Sequence, residues 1–186
     1  MSSSIPTECP VCHKPCESNT SAQSLDKTII QNIVPATPLG FRCLCAGSDH
    51  IVLFAPLASN SNDKGTFFAG SAASVTALTC WAAASASVSS LVIPDGLKDL
   101  TVVAKECNVK YLRPLTGDVI SVAYLPQGEQ IEKAQKELDG RGRAHFVVKA
   151  EGRKAVDIKD GDDKVCVVCE GTYVLLGMST AQGKEK

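Results

Sequence analysis

The residues best suited to chemistry lie in one stretch, Asn60-Ser-Asn62-Asp63-Lys64-Gly65-Thr66-Phe67-Phe68-Ala69-Gly70-Ser71, where a polar loop runs straight into a long uncharged segment. The first amides of a helix have no intrahelical acceptor, and the helix dipole makes that end attractive to negative charge. In a water-poor site such amides stabilise the oxyanion formed when a nucleophile attacks an acyl carbonyl. Ala69, Gly70 and Ser71 occupy the donor positions. Gly70 has no Cβ to hold a carbonyl away, and Gly65 permits the sharp turn that would present the loop. A plain helix-start loop fits the same residues.

The remaining reactive side chains make weaker constellations. Cys9, Cys12, His13 and Cys16 form CPVCHKPC, which superficially offers zinc ligands and a CxxCH pattern. Cys12 and His13 are adjacent, however, and no second ligand pair follows at finger-like spacing. A zinc-dependent interaction module centred on Cys9–Cys16 therefore ranks last, and neither a metal nor a cofactor is expected. Cys166 and Cys169 are separated by an odd number within a strand, which points their thiols to opposite faces and favours packing over redox pairing. Cys80, His50 and His145 lack partner motifs and read as structural. Lys110, Arg113, Arg141 and Arg143 are guanidinium and ammonium groups able to contact a phosphate, or else solvated charges on the sheet.

The elements that must position the loop are legible from periodicity. SLDKTIIQNIV carries Leu25, Ile29, Ile30 and Ile33 at helical spacing until Pro35 and Pro38 stop it. FRCLCAG and HIVLFAPL predict two strands joined by a tight turn at Gly47, Ser48 and Asp49. From Gly65 through Pro94 nothing is charged, and Ser71–Ile93 holds six serines and two threonines among many alanines. That length would cross a bilayer, but the polar content and the lack of basic anchors at one flank favour a buried helix over a membrane span. With no charged face it must be covered nearly all round, so a sheet has to wrap it. After Pro94–Gly96 come TVVAKECNVKYLRPL, with Val103, Cys107, Val109 and Tyr111 on one parity, then strands at Val119–Leu125, Ala144–Ala150 and VCVVCEGTYVLL. An amphipathic helix is marked by Ile131, Ala134 and Leu138. Two strands, a helix and four strands indicate an α+β domain with an antiparallel sheet around a long central helix.

At the loop the chain resembles the hot-dog thioesterase superfamily, most closely the thioesterases of the YiiD C-terminal-domain type, whose helix entry is similar to NxNxKGTxFGGS. The likeness runs from about Pro38 to Leu176 and includes Trp81, Tyr111-Leu-Arg-Pro-Leu-Thr-Gly-Asp118, Gly140-Arg-Gly-Arg143 and Gly171-Thr-Tyr-Val174. The resemblance implies a hot-dog fold, hydrolysis of an acyl-CoA or acyl-carrier thioester, and a site at a subunit interface. It gives Asn62 the role of positioning the attacking water, and Asn60, Gly65, Phe68 and Arg113 places beside the substrate. The chain departs from the pattern where Phe68 replaces a histidine and Ala77 replaces the helix acid of one branch. Asp63 is then the local candidate for a general base, or an ordinary loop or capping carboxylate. A non-catalytic acyl-CoA-binding or assembly module is the competing implication.

Composition bounds the rest. At 186 residues and 44% apolar content, one domain is the default. Nineteen basic against twenty acidic residues, a net charge of −1, give no field to gather nucleic acid. Nine cysteines without a leader pattern read as free thiols in a reducing, cytoplasmic setting. Residues 1–23 lack an apolar period and are expected outside the core as a flexible tail, with the domain over 24–178 and a second tail at 179–186. An exposed sheet edge would favour a homo-oligomer, a dimer or a dimer of dimers.

Overall fold

A computed structural model describes residues 5–16, 19–155 and 164–179, with side chains to residue 177. The first helix, α1 (Thr20–Asn32), starts four residues ahead of the expected Ser24, because Asn19 caps it by accepting from the Ala22 amide at 2.8 Å. Strands β1 (Arg42–Ala46) and β2 (His50–Ala55) form the expected hairpin. The uncharged stretch becomes helix α2 (Ala69–Ser87), extended by a 3-10 turn at Val88–Ser90. Strands β3 (Leu97–Tyr111) and β4 (Val119–Tyr124), helix α3 (Glu129–Arg141) and strands β5 (Arg143–Lys154) and β6 (Val165–Ser179) complete the order.

The six strands make one antiparallel sheet, β1-β2-β4-β5-β6-β3, with α2 against its concave face. This is the α+β hot-dog arrangement. Alternation along each strand sets what meets the helix. Ile51, Leu53 and Ala55 of β2 join the core that holds Val75, Cys80 and Ala83 of α2, whereas Val52 and Phe54 face the other way with Ile120 and Val122 of β4. Small residues let strand backbone approach α2 closely: a Cβ on Gly152 of β5 would lie 2.4 Å from Val167 and 3.4 Å from Thr76. Most polar groups of α2 that turn inward are paired, as where Thr79 donates to Ser121 at 2.7 Å, whereas the buried Ser85 hydroxyl has no partner among the described residues. Although Ala69–Ser90 has the length and composition of a membrane span, most of it is buried in this fold.

Four expectations change. The outer side of β1, β2 and β4 is apolar, and each fully buried side chain such as Phe54 contributes about 1.5–3 kcal/mol only if something covers it. Residues 5–16, expected outside the core, provide part of that cover: Cys9 is 1% exposed, and Val11, Cys12 and Cys16 pack beside it. Second, α2 is not covered all round. Ser74, Ala77, Leu78 and Trp81 border an open apolar groove of about 320 Å³ that continues to Phe41 and Ala104. Third, the parity expected for β3 breaks at an irregularity between Ala104 and Glu106. Val102 and Val109 therefore both pack inward, and Val103 is 40% exposed. A similar extra residue at Cys166 relative to β5 lets Cys166 and Cys169 both reach the core, against the expectation of opposite faces. The expected tail at 179–186 lies beyond the described residues except for the backbone of Ser179.

Candidate functional site

The loop before α2 is closed by its own backbone. The Asn62 amide donates to the Thr66 carbonyl at 2.8 Å and the Gly65 amide to the Asn62 carbonyl at 3.1 Å, with Gly65 at φ 71°. The Asn62 side chain holds the same turn. Its Oδ1 accepts from the amides of Lys64 at 2.9 Å and Thr66 at 3.1 Å, and its Nδ2 donates to Thr66 Oγ1 at 2.8 Å. A primary amide has two N–H donors, so one N–H of Asn62 remains for a water or a substrate oxygen. Asn60 is spent differently. Buried at 2% exposure, it ties the loop to the preceding segment by donating to the carbonyls of Leu39 at 2.8 Å and Pro56 at 2.7 Å, while its own carbonyl accepts from the Phe68 amide. Its Oδ1 is buried without a hydrogen-bond partner among the described residues. Asn60 thus shapes the loop from beneath.

Helix α2 begins after Phe68, whose backbone is extended and supplies no side-chain cap. The amides of Ala69, Gly70 and Ser71 are the ones that helix geometry leaves without intrahelical acceptors. Ser71 is buried, Gly70 half-buried and Ala69 exposed. The space beside Gly70 is not open, since a Cβ there would fall 2.4 Å from the Phe68 ring. Gly70 is thus needed for the aromatic ring to fold back over the helix start, and Phe68, 54% exposed, lies over the approach. Asp63 is exposed and makes no hydrogen bond or ion pair among the described residues.

Beside the helix start, a cavity of about 330 Å³ is bordered by Thr66, Ala69, Ala72, Tyr111, Arg113 and Cys166, among others. The end of β3 is drawn to it because Tyr111 Oη donates to the Ala69 carbonyl at 3.0 Å. The chain after β3 is held by the Cys166 carbonyl, which accepts from the amides of Leu112 at 2.7 Å and Arg113 at 3.1 Å, while Arg113 Nη1 donates to the Val165 carbonyl at 2.8 Å. Arg113 is the one cation of the four expected phosphate contacts that borders this cavity; Lys110, Arg141 and Arg143 do not. Of the candidate residues, Ala69 and Arg113 are brought together here, whereas Asn62, Asp63 and Phe68 sit on the adjoining loop and do not border it. Among the described residues no carboxylate or histidine does. The loop-shaping contacts of Tyr111 with the Ala69 carbonyl and of Asn60 with the Leu39 carbonyl carried no sequence signal, because both join residues distant in the chain.

The fold is shared with solved structures at low sequence identity. A protein of unknown function from Chlorobaculum tepidum matches at 22% identity over 84% of this chain and 94% of its own, with a TM-score of 0.72. A "putative thioesterase" from Shewanella oneidensis matches at 20% over 83% and 96%, TM-score 0.63, and a thioesterase from Haemophilus influenzae at 16% over 87% and 94%, TM-score 0.60. A comparison with curated proteins finds no match. At the sequence level, the family model described as "Putative thioesterase (yiiD_Cterm)" matches residues 22–177. By that match, which spans the whole of the loop and helix α2 and all but the last two residues of the sheet, the chain belongs to the YiiD C-terminal thioesterase family.

Proposed function

We propose that this protein hydrolyses an acyl thioester of coenzyme A or of an acyl carrier, with the scissile carbonyl at the start of α2. The observation that carries the reading is the uncapped helix start beside the 330 Å³ cavity. The amides of Ala69, Gly70 and Ser71, which helix geometry leaves without intrahelical acceptors, take up the oxyanion. The acyl chain has a natural route along the apolar groove past Leu78 and Trp81, and Arg113 supplies a cation near the mouth for a carrier phosphate. The remaining N–H of Asn62 orients water, and Asp63 takes its proton. Nothing among the described residues of one copy holds Asp63, so a second copy is assigned that task. The 15-residue edge strand β3, with Val103 and Tyr111 exposed, is a sheet edge unpaired among the described residues, which a second copy would cover. The active species is thus a homodimer or a dimer of dimers, working in the cytoplasm.

One observation favours a second reading. Because no carboxylate or histidine among the described residues borders the cavity, a module that binds an acyl thioester without cleaving it fits the same walls. A panel of acyl-CoA chain lengths, assayed for released thiol alongside direct binding, separates the two. Release above the uncatalysed rate for any chain length is expected. Tight binding with no release across the panel replaces hydrolysis with the binding reading.

A further inference from the structure

On the outer face of the sheet, away from α2, four side chains from three stretches of the chain converge. Cys9 and Cys12 come from the N-terminal segment, Cys45 from the end of β1 and His50 from the start of β2, and their donor atoms all lie within 4.8 Å of one another. The separations match a tetrahedral ion. With metal–sulfur bonds of about 2.3 Å and metal–nitrogen bonds of about 2.0–2.1 Å, tetrahedral angles place sulfurs about 3.8 Å apart and sulfur about 3.5–3.6 Å from nitrogen. Cys12 Sγ stands 3.8 Å from Cys45 Sγ, and His50 Nε2 stands 3.6 Å from Cys9 Sγ and 3.5 Å from Cys45 Sγ.

The surroundings are those of ligands. His50 Nδ1 is 2.7 Å from the Asp49 carboxylate, which can only accept, so Nδ1 carries the proton and Nε2 turns its lone pair toward the three sulfurs. A carboxylate behind the imidazole is the usual orienting partner of a metal-bound histidine. Asn19 Nδ2 donates to Cys45 Sγ at 3.4 Å. The amides of Val11 and Cys12 donate to the Cys9 sulfur, and that of Lys14 to the Cys12 sulfur. The turn that aims the Lys14 amide has His13 at φ 54°, exposed and outside the cluster, and it is closed by the Cys9 amide donating to the Lys14 carbonyl at 2.9 Å. Three thiolates together need a dication to offset their charge.

We propose that Cys9, Cys12, Cys45 and His50 bind one zinc ion that fastens residues 5–16 to the outer face of the β1–β2 hairpin. Three thiolates and an imidazole suit zinc, and four protein ligands leave no open position, which makes the site structural. The second ligand pair, absent at finger-like spacing in the sequence, is Cys45-x4-His50 on a hairpin. Thiol hydrogen bonds alone would bring sulfurs to similar distances but would not converge four donors on one point with a carboxylate behind the ring. Cys9 and Cys12 precede the residues matched by the family model, which begin at 22, whereas Cys45 and His50 lie within them, so the ion would tie the segment before the matched region to the family fold.

The test is the metal content of the full-length chain, purified under reducing conditions without a histidine tag and measured by plasma mass spectrometry. About one zinc per chain is expected. Cys12→Ser should lower zinc content at least tenfold, Asp49→Asn should weaken retention against a chelator by about 10–100-fold, and Cys16→Ser should retain the metal. Less than about a tenth of an equivalent in wild type after incubation with excess zinc overturns the proposal, as does iron in its place or undiminished zinc in Cys12→Ser. Should Cys12→Ser fail to fold, zinc-edge X-ray absorption of the wild type decides: a shell of three sulfurs and one nitrogen supports the site, and a shell without sulfur overturns it.

Discussion

Replacing Asn62 tests the proposed chemistry, provided that the substitution separates shape from function. In Asn62→Ala three side-chain hydrogen bonds are lost, to the amides of Lys64 and Thr66 and to Thr66 Oγ1. At a net of about 1 kcal/mol each the ceiling is about 3 kcal/mol, and the Lys64 contact is solvent-exposed, so a loss of about 1–2 kcal/mol, mostly confined to the loop, is expected. Asn62→Asp keeps both acceptor contacts, and the Thr66 hydroxyl can reverse its bond and donate to the carboxylate. It therefore keeps the loop while removing the one N–H left for water. If that N–H works as proposed, both variants lose about 10²-fold in kcat, comparable to removing an oxyanion-hole donor and equivalent to about 2.7 kcal/mol of transition-state stabilisation. The assay is thiol release from the best acyl-CoA of the panel, paired with thermal unfolding. Wild-type kcat in Asn62→Asp with an intact fold refutes a direct role for Asn62, and if Asn62→Ala alone is slow, its role is to shape the loop.

Asp63→Asn removes the proposed base at constant shape and should lower turnover at least about tenfold; unchanged turnover in the thiol-release assay removes Asp63 from the mechanism. Gly152→Ala places a methyl group 2.4 Å from Val167 and 3.4 Å from Thr76, so overpacking should cost about 1–3 kcal/mol, seen as a lower Tm; an unchanged Tm would mean that the sheet and α2 yield freely there. Burial works against ionisation of Glu151, but the Lys149 ammonium and the Arg153 guanidinium outweigh it and hold the carboxyl below its ordinary 4.5. A carboxylate depressed in the folded state contributes stability above its unfolded value, and that contribution disappears as pH falls through the folded value. Glu151→Gln should therefore narrow the difference in Tm between pH 7 and pH 3, and an unchanged difference would discount this cluster in acid unfolding.

Local order was the part of the fold most visible in the sequence. The β1–β2 hairpin, the uncharged α2 and the amphipathic α3 follow from alternation, composition and the spacing of Ile131, Ala134 and Leu138, all of which are short-range. What escaped depends on residues far apart. Cys9 is buried because Cys45 and His50 meet it from a hairpin more than thirty residues away, and its own neighbours carry no apolar period. Val103 lost its expected inward position to an irregularity two residues later that no composition announces. In the loop, the pairing of Asn62 with its own turn is the usual behaviour of an Asx side chain, and its spacing from Gly65 marks the turn. The ring of Phe68 folding over Gly70, by contrast, inverts the obvious meaning of that glycine.

The groove along α2 also gives the protein an internal optical probe. Trp81 is the single tryptophan of the chain. Its indole N–H is fixed to the Val102 carbonyl at 3.0 Å, and its ring forms part of the groove wall. An indole held in one orientation and half in contact with solvent changes its emission when the water beside it is displaced. Intrinsic fluorescence, selectively excited and unlabelled, should therefore shift to shorter wavelength as an alkyl chain or a second copy fills the groove. Titration of the wild-type chain could then follow occupancy under single-turnover conditions, separately from thiol release.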